Sequence, residues 1–471
     1  MEKLARSSVI DGFTLGPLLH RGGMASLYEV THPDWPDLPM LMKLPKLKSG
    51  EDPAAIVSFE MELMILPRLT GPHVPRCIAT KGFETTPYMV MERIEGASLL
   101  PLLKQLPLPI EDVAEIGHGV ALALDDLHRQ NVVHLDIKPS NVLRRSDGAV
   151  VLADFGLAHH AKLPDLMQEE FRLPYGTAPY MAPEQVMGVR GDPRSDLFAL
   201  GVLLCFFTTG ERPFGDPQSL KGLKRRIWRD PQPPIALRPD CPAWFQEIIL
   251  RCLEVEPARR YPNAAQLAFD LTHQDQVALT LRAAKRKRDG WAAVLRRRFN
   301  PEAWPVFRLP SSVALQQSQA PIIVVAVDLN NAEAGLAENL RDAVRRILPS
   351  LPGARLACLN VQRTSLIGLD EDTDKAGHNR HALAIAALKH WAQPLGLKDE
   401  AVTFHVLEAV GVASAILEYA AENRVDHILL AARPPSARRR WLGSVSAEVA
   451  EKAECSVTVV RPRRAGLGTD N

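Results

Sequence analysis

The order of apolar and polar positions divides roughly the first 270 residues into a strand-rich part and a helix-rich part. Apolar and polar residues alternate over 13–30. The segment 40–43 is a short apolar run that ends in lysine, and both segments are predicted as β-strands. A helix is predicted at 53–67, where apolar residues recur every three or four positions between two prolines. A longer apolar stripe at 110–130 predicts a second helix.

From residue 321 onward, short apolar runs alternate with amphipathic segments. The runs are predicted as strands and the segments as helices, with strands at 321–328, 354–361, 402–408, 426–432 and 456–460 and helices at 332–348, 380–391, 411–423 and 444–453. Strands that are apolar throughout are typical of a parallel sheet with helices on both faces. Ligands of such sheets bind at the carboxyl ends of the strands. We therefore predict an α/β doubly wound parallel-sheet domain.

Length and composition limit the class of protein. The 471 residues suggest about three ordinary domains, or one large and one small. The hydrophobic content of 46%, the charged content of 24% and the net charge of +1 are typical of a soluble protein without an overall attraction to nucleic acid or membranes. Six scattered cysteines, without a Cys-x-x-Cys pair, argue against a zinc site or a disulfide framework. No signal peptide or membrane span of roughly 20 apolar residues is recognisable, so we predict a cytoplasmic protein.

Two short motifs carry the chemistry: residues 134–141 read HLDIKPSN, and residues 154–156 read DFG after an apolar run. Together they resemble the catalytic loop and the metal-binding segment of eukaryotic-like (bacterial) serine/threonine protein kinases. The resemblance implies a bilobal α+β kinase fold that uses ATP and Mg²⁺. It makes Asp136 the base that aligns the substrate hydroxyl, Lys138 the cation at the γ-phosphoryl group, and Asn141 and Asp154 the Mg²⁺ ligands.

The segment 19–28 looks like the glycine-rich loop of these kinases, whose backbone covers the ATP phosphates. The resemblance places Gly22, Gly23 and Leu27 at the nucleotide. His20 and Ala25 replace the outer glycines of the family pattern, and we expect their side chains to weaken nucleotide affinity.

Lys43 matches the lysine that pairs with the α- and β-phosphates. Two acids on the following helix are candidates for its ion-pair partner. We choose Glu62, because it precedes Leu69 by the seven residues usual in the family, and interpret Glu60 as a solvated surface residue.

Residues 88–96 resemble the strand and hinge that join the two lobes. The resemblance implies that backbone groups of Glu92 and Ile94 bind adenine, that Met91 lies at the back of the pocket and that Leu143 is a further nucleotide contact.

Leu135 departs from the family pattern, which usually has arginine before the catalytic aspartate to bind a phosphate on the activation loop. Between Leu157 and Gly176 there is no serine or threonine, so no phosphate acceptor of that kind is present either. We predict activity that does not depend on phosphorylation of this loop. Glu169 and Glu170 could order the loop, but we favour the interpretation that they are solvated charges.

Further residues match structural positions of the family. The resemblance implies that Thr177 bonds toward Asp136 and Lys138, that Glu184 forms a buried ion pair with Arg260, and that Asp196 braces the backbone of the catalytic loop.

A basic connector follows at 274–318. It is predicted to open as a helix, and it carries two cationic runs at 285–288 and 296–298 with Trp291 and Trp304 nearby. Such runs can bind nucleic acid or anionic membranes. We favour a solvated linker whose tryptophans pack onto a domain, and keep the binding interpretation as the less favoured alternative.

The region 319–463 resembles the universal stress protein family, on the motifs AVD at 326–328, ILL at 428–430, LGSVS at 442–446 and VTVV at 457–460. ATP-binding members have two further glycines after the fourth strand, where this chain has Arg433, Pro434 and Pro435. Gly443, Ser444 and the arginines at 438–440 could still hold an anion. We favour docking or homodimerisation over ATP binding.

The complete interpretation is a serine/threonine kinase domain at 10–273, a tether and a stress-protein domain that regulates or docks. It predicts protein substrates that carry serine or threonine. A pseudokinase scaffold or nucleotide-sensing adaptor is the alternative, favoured by His20, Ala25 and Leu135 and opposed by the intact polar residues of the cleft.

Overall fold

The computed structural model describes residues 8–46, 53–171, 174–299, 321–329, 334–351, 353–364, 379–398, 401–432 and 444–461. Over these ranges the chain forms two lobes, a connector and a C-terminal α/β domain, which confirms the predicted fold class. Among the described residues, no helix combines the length and the apolar composition that crossing a membrane requires.

The N-terminal lobe is built on an antiparallel sheet. Its strands are β1 (Val9–Ile10), β2 (Phe13–Arg21), β3 (Ala25–Thr31), β4 (Met40–Pro45), β5 (Cys77–Lys81) and β6 (Tyr88–Glu92), in the spatial order β1-β2-β3-β4-β6-β5. Because side chains alternate along a strand, Tyr88 and Val90 of β6 pack into a cluster with β2 and β4 on one face. Met89 and Met91 point to the opposite face, where helix α1 (Pro53–Ile65) covers the sheet.

The second lobe is helical. Its helices are α2 (Ile110–Arg129), α3 (Leu166–Glu170), α4 (Pro183–Val186), α5 (Arg194–Thr209), α6 (Leu220–Lys224), α7 (Pro234–Leu237), α8 (Ala243–Cys252) and α9 (Ala264–Thr272). Helix α2 buries one stripe, whereas α5 is apolar on almost every side and forms the centre of the lobe. Short 3₁₀ turns lie along the whole chain at Leu66–Arg68, Leu100–Lys104, Arg225–Ile227, Pro257–Arg259, Gln274–Gln276, Leu348–Ser350 and Gln393–Leu395.

Two small sheets position the chemical motifs between the lobes. One has the order β10 (Val150–Leu152), β9 (Val142–Arg145), β7 (Gly96–Ser98), and the other pairs β8 (Val132–Val133) with β11 (His159–His160). The motif at 134–141 is therefore the loop from β8 to β9, and the motif at 154–156 follows β10 directly. Antiparallel pairing of β9 with β10 brings these two loops side by side.

The connector differs from its predicted structure. Apart from the 3₁₀ turn at Gln274–Gln276, its first helix is α10 (Trp291–Phe299). Trp291 is 78% exposed and does not pack onto a domain, so the predicted role of this tryptophan was wrong. Trp304 lies outside the described residues.

The C-terminal domain contains a five-stranded parallel sheet. Its strands and helices are β12 (Ile322–Ala326), α11 (Ala334–Ile347), β13 (Arg355–Arg363), α12 (Arg380–Ala392), β14 (Val402–Ala409), α13 (Val412–Glu422), β15 (His427–Ala431), α14 (Ser444–Lys452) and β16 (Ser456–Val460). The spatial order is β14-β13-β12-β15-β16. Ile323 and Val325 pack on one face and Val324 on the other, so both faces are covered, as predicted.

Helix α3 joins the two domains. It contacts α1 on one side and both β14 and α13 on the other. Leu166 of α3 and Phe404 of β14 belong to one continuous apolar cluster that reaches from the helical lobe into the C-terminal sheet. The C-terminal domain therefore packs against the segment that follows the DFG motif.

Candidate active site

Lys43 of β4 is held between two carboxylates. Its Nζ lies 2.6 Å from Oε2 of Glu62 on α1 and 3.0 Å from Oδ1 of Asp154. Burial works to lower the pKa of Lys43, but the charges of Asp154 and Glu62 outweigh it and hold the pKa above its ordinary value. Lys43 lowers the pKa of Asp154 in return. The choice of Glu62 over Glu60 as the residue that contacts Lys43 agrees with this geometry.

The catalytic-loop residues form a second polar cluster. Asp136 Oδ2 accepts hydrogen bonds from Lys138 Nζ at 2.5 Å and Asn141 Nδ2 at 3.0 Å, while Oδ1 accepts from the hydroxyl of Thr177 at 2.7 Å. Thr177 also accepts from Lys138 Nζ at 3.0 Å. These bonds fix the orientation of the Asp136 carboxylate. The charge of Lys138 also lowers the pKa of Asp154, after the larger effect of Lys43, so the two clusters face each other.

Hydrogen bonds to a side chain of α5 hold the backbone of the catalytic loop in place. The buried carboxylate of Asp196 on α5 accepts hydrogen bonds from the backbone N–H groups of His134 and Leu135, each at 2.8 Å. Leu135 has a φ of +64°, an unusual conformation for a leucine that these hydrogen bonds help to maintain. Glu184 and Arg260 form a buried bidentate pair at 2.6 and 2.7 Å.

The DFG segment combines strain with a requirement for glycine. Asp154 has a φ of +68°, and its side chain is 47% exposed to the cleft while Phe155 beside it is fully buried. A Cβ on Gly156 would lie 3.0 Å from the backbone oxygen of Ser58 on α1 and would also meet the Ser58 hydroxyl. Only glycine allows α1 to approach this closely, and that approach brings Glu62 to Lys43.

The side chains around Asp154 fit a hard divalent cation, which prefers oxygen ligands. Asp154 presents its carboxylate to the cleft. Asn141 donates from Nδ2 to the backbone and side chain of Asp136, which fixes its amide and leaves Oδ1, an acceptor from the Ser140 hydroxyl at 2.9 Å, as its oxygen donor. Asn141 and Asp154 are the residues that would hold Mg²⁺.

The predicted nucleotide contacts lie on the N-terminal sheet, on the segment that follows it and on β9. Gly22 and Gly23 form the turn between β2 and β3, which is closed by a bond from the Gly22 N–H to the Ala25 carbonyl at 3.0 Å. Leu27 of β3 is paired in register with Lys43. The remaining contacts lie on β6, β9 and the segment after β6, and they are Met91, Glu92, Ile94 and Leu143.

Glu169 and Glu170 on α3 are not solvated, so the favoured interpretation of them was wrong. Glu169 lies 2.7 Å from Arg355 and 3.1 Å from His405 Nε2, and it accepts a hydrogen bond from Tyr419 at 3.1 Å. Glu170 lies 3.1 Å from His405 Nδ1. All three partners belong to the C-terminal domain, and His405 is completely buried.

Glu60 also differs from its predicted environment. It is 5% exposed, and its Oε1 lies 2.8 Å from Nζ of Lys389 on α12. Sequence reasoning missed Lys389, Arg355 and His405, because no motif marks them and their partners lie in the other domain.

Most predicted anion-site residues of the C-terminal domain lie outside the described residues. These are Arg433, Pro434, Pro435, the arginines at 438–440 and Gly443, and the side chain of Ser444 is likewise outside the description.

Comparison with known proteins assigns both domains. The protein kinase domain family matches residues 13–270, and the universal stress protein family matches residues 321–461. A probable serine/threonine-protein kinase of Streptomyces coelicolor is 31% identical over 268 residues, covering 55% of this chain and 39% of that protein. The serine/threonine-protein kinase PknB of Mycobacterium leprae is 29% identical over 270 residues, covering 55% of this chain and 42% of that protein.

The probable serine/threonine-protein kinase PknB of Lactococcus lactis is 28% identical over 263 residues, again covering 55% of this chain and 42% of that protein. The chain thus spans about two fifths of the length of these curated relatives. The kinase match covers more than half of the present chain and coincides with the two lobes around the polar cleft. The chain therefore belongs to the protein kinase family and adds to it a C-terminal domain of the universal stress protein family.

Proposed function

We propose that this chain transfers the γ-phosphoryl group of ATP to serine and threonine hydroxyls of proteins, within a kinase domain at residues 10–273. The observation that carries the proposal is the convergence of Lys43, Asp136 and Asp154 on one cleft between two lobes. In-line phosphoryl transfer needs little covalent help from the protein and depends on positioning and on neutralising charge. The cleft provides cations and carboxylates for both tasks.

Each polar residue has one task in this mechanism. Asp136, held by Lys138, Asn141 and Thr177, orients the substrate hydroxyl and accepts its proton. Lys43 binds phosphate oxygens, and Glu62 positions its ammonium group. Lys138 stabilises negative charge on the phosphoryl group during transfer. Mg²⁺, when bound by Asn141 and Asp154, neutralises phosphate charge.

The test is incubation of the full-length chain with labelled ATP, Mg²⁺ and a general protein substrate, followed by phosphosite mapping. We expect phosphoserine or phosphothreonine with wild type and with Asp240→Asn, a matched exposed aspartate before α8. Asp136→Asn and Asp154→Ala should remove the signal. A wild type that binds ATP without transfer would favour the pseudokinase scaffold instead.

We further propose that activity does not require phosphorylation of the activation segment. Leu135 offers no cation for a loop phosphate, and the C-terminal domain supplies Arg355 and His405 to the carboxylates of Glu169 and Glu170. Fixed carboxylates and cations from a second domain therefore replace a phosphate and its arginine. This arrangement supports regulation through the C-terminal domain.

The contact of the C-terminal domain with the kinase domain also holds α1 in place. Glu62 holds Lys43 on the cleft side, while Glu60 holds Lys389 of the C-terminal domain on the other side. We propose that the docked domain stabilises the arrangement of α1 in which the Lys43–Glu62 pair forms. Undocking would release α3 and α1 together and lower activity.

Phosphatase treatment tests the independence from loop phosphorylation. Full-length protein that mass spectrometry shows to be unphosphorylated over 157–180 should transfer phosphate at the untreated rate. Tyr175→Phe provides a second check. A requirement for phosphate at Tyr175, Thr177 or Tyr180 would overturn this part of the proposal.

Homodimerisation through the C-terminal domain remains part of the proposal. Strand β16 forms an edge of the described sheet, where its outer backbone groups can pair with a second copy. Analytical ultracentrifugation over a wide concentration range should show a monomer–dimer equilibrium. A constant monomer mass would overturn it.

We also propose a cytoplasmic location. All six cysteines are free thiols, four of them buried, as expected for a reducing compartment. Cell fractionation with antibody detection tests this location.

A further inference from the structure

Helix α10 of the connector exposes a stripe of large apolar side chains. Trp291, Leu295 and Phe299 are 78%, 38% and 71% exposed. Because they are spaced by four residues, they lie on one face of the helix. Trp291 and Leu295 line a groove of about 740 Å³ between α10 and the segment 221–230 of the helical lobe.

The groove carries an excess of positive charge. Its two acids are already neutralised, because Asp230 lies 2.6 Å from Lys285 and 2.7 Å from Arg297, and Asp289 contacts the same two cations. Five further cations line the groove, and none of them has a carboxylate within 4 Å in the part of the chain that the structure describes: Lys221, Arg225, Arg229, Arg288 and Arg298.

Repulsion among the cations of the groove indicates that the groove binds an anionic partner. Burial and the neighbouring charge of Arg229 both lower the pKa of Arg288, although Glu211 opposes them. A surface that brings phosphate or carboxylate groups to the groove would relieve this repulsion. The partner must also cover the apolar stripe beside the cations.

An anionic lipid bilayer meets both requirements, whereas nucleic acid meets only the first. Arginines bind lipid headgroups, while tryptophan, leucine and phenylalanine enter the boundary between headgroups and acyl chains. A nucleic acid backbone would leave Leu295 and Phe299 against a charged, hydrated surface. We propose that the face formed by α10 and this groove docks the protein on an anionic membrane surface. The proposal is independent of the phosphotransfer proposed above.

Vesicle sedimentation of the full-length chain tests it. The probes are phosphatidylcholine vesicles with and without 30% phosphatidylserine, a proportion chosen as roughly that of an anionic leaflet. We expect binding to the anionic vesicles that is at least about tenfold tighter than to neutral ones and that weakens as salt is raised. Trp291 fluorescence should shift to shorter wavelength only with anionic vesicles, measured against Trp291→Phe.

Two kinds of variant separate the contribution of charge to membrane binding from that of the apolar stripe. Arg225→Gln with Arg229→Gln removes charge, and Trp291→Ala with Phe299→Ala removes the apolar stripe, and we expect each pair to weaken binding at least about fivefold. The matched controls are Arg345→Gln with Arg346→Gln on α11 and Phe269→Ala on α9, which should bind like wild type.

All variants replace surface side chains, so unchanged thermal unfolding and unchanged phosphotransfer to a soluble substrate are expected. Equal partition to neutral and anionic vesicles would overturn the proposal. So would tight binding of a DNA or RNA oligonucleotide that survives loss of Trp291 and Phe299, since it would identify nucleic acid as the partner.

Discussion

Helix α1 forms a glutamate–lysine ion pair on each of two sides, and the two pairs have different surroundings. On the cleft side Glu62 binds Lys43 at 2.6 Å, and on the outer side Glu60 binds Lys389 at 2.8 Å. Residues two apart on a helix point to different sides. One pair therefore belongs to the cleft between the lobes and the other belongs to the domain interface.

Helix α1 therefore connects two partners, Lys43 in the cleft and Lys389 in the C-terminal domain. A shift of α1 that breaks the outer pair also moves Glu62, because a helix moves as a rigid unit over a few turns. In the proposed mechanism the cleft pair acts on phosphates directly, whereas the outer pair acts only by positioning α1. Loss of the inner lysine should therefore cost far more activity than loss of the outer lysine.

Lys43→Met breaks the cleft side and should have the largest effect. It removes a cation aimed at the phosphates, so kcat/KM for phosphotransfer should fall roughly 10²–10³-fold, as when an electrostatic stabiliser of a transition state is lost. The matched control is Lys81→Met in β5, whose ammonium pairs with Asp11 at 2.7 Å in the same sheet. Similar rates for the two variants would contradict the assignment of Lys43.

Glu169→Gln breaks the interface next to the outer pair. It removes the carboxylate that pairs with Arg355 and one of the two carboxylates that pair with the buried His405, so local opening of α3 should become easier by about 3 kcal/mol. Glu170→Gln should cost only about 1 kcal/mol, because burial raises the pKa of Glu170 to about 7 and its carboxyl group is already partly protonated near neutral pH.

Native-state hydrogen exchange of the α3 amides in the full-length chain measures both losses at pH 7. The two variants are isosteric and adjacent, so each serves as the control for the other. A larger loss for Glu170→Gln than for Glu169→Gln would show that the charge distribution at His405 has been misassigned.

Lys389→Met removes the outer ion pair of α1 and leaves both side chains of the cleft pair unchanged. Because coupling through a packed element is typically worth 0.5–2 kcal/mol, kcat/KM should fall roughly 2–30-fold. Lys398→Met, an exposed lysine of the same domain, is the control and should leave the rate unchanged. A loss as large as that of Lys43→Met would argue that α1 unfolds instead of shifting.

The smallest expected effect is a weakening of domain docking as the pH rises. Although burial works to lower the pKa of His405, Glu169 and Glu170 raise it to about 9, and burial raises that of Glu170 to about 7. Both groups bind protons more tightly when docked, so docking is fully favoured only below their ordinary pKa values and weakens as pH rises through about 7 and then about 9. Glu169, whose pKa is lowered, acts in the opposite direction only at acidic pH.

The other charged groups that face this interface are Arg355, Lys389 and Glu60. Burial raises the pKa of Tyr419 well above its ordinary value, so its hydroxyl keeps its proton between pH 7 and 9. Hydrogen exchange of α3 at both pH values, corrected for intrinsic rates, should show the weakening. His405→Gln should remove the part of this weakening that is centred near pH 9, whereas His427→Gln on the same sheet should preserve it. Identical profiles for the two variants would exclude His405 as the titrating group.

The cleft could be predicted from sequence because its residues occur in short motifs with fixed spacing. Lys43, Asp136, Asn141 and Asp154 are each predicted in this way, and Glu62 is predicted from its distance to Leu69. The alternation of apolar strands and helices in the C-terminal half was equally informative, since a doubly wound sheet imposes that pattern.

The interface could not be predicted, because its partners are distant in sequence and occupy ordinary positions. His405 lies 235 residues after Glu170 and stands within a strand whose apolar pattern explains the fold without it. Glu60 and Glu170 look like surface acids until the second domain covers them. Local patterns record burial within a domain but not burial between domains.

A charge-swap cycle between positions 60 and 389 tests most directly whether the C-terminal domain holds α1 for catalysis. Glu60→Lys and Lys389→Glu each place like charges together, so each alone should lower kcat/KM at least about fivefold, and the double variant should recover to within about threefold of wild type. Single variants that work at the wild-type rate, or a double variant no better than the worse single one, would contradict the account.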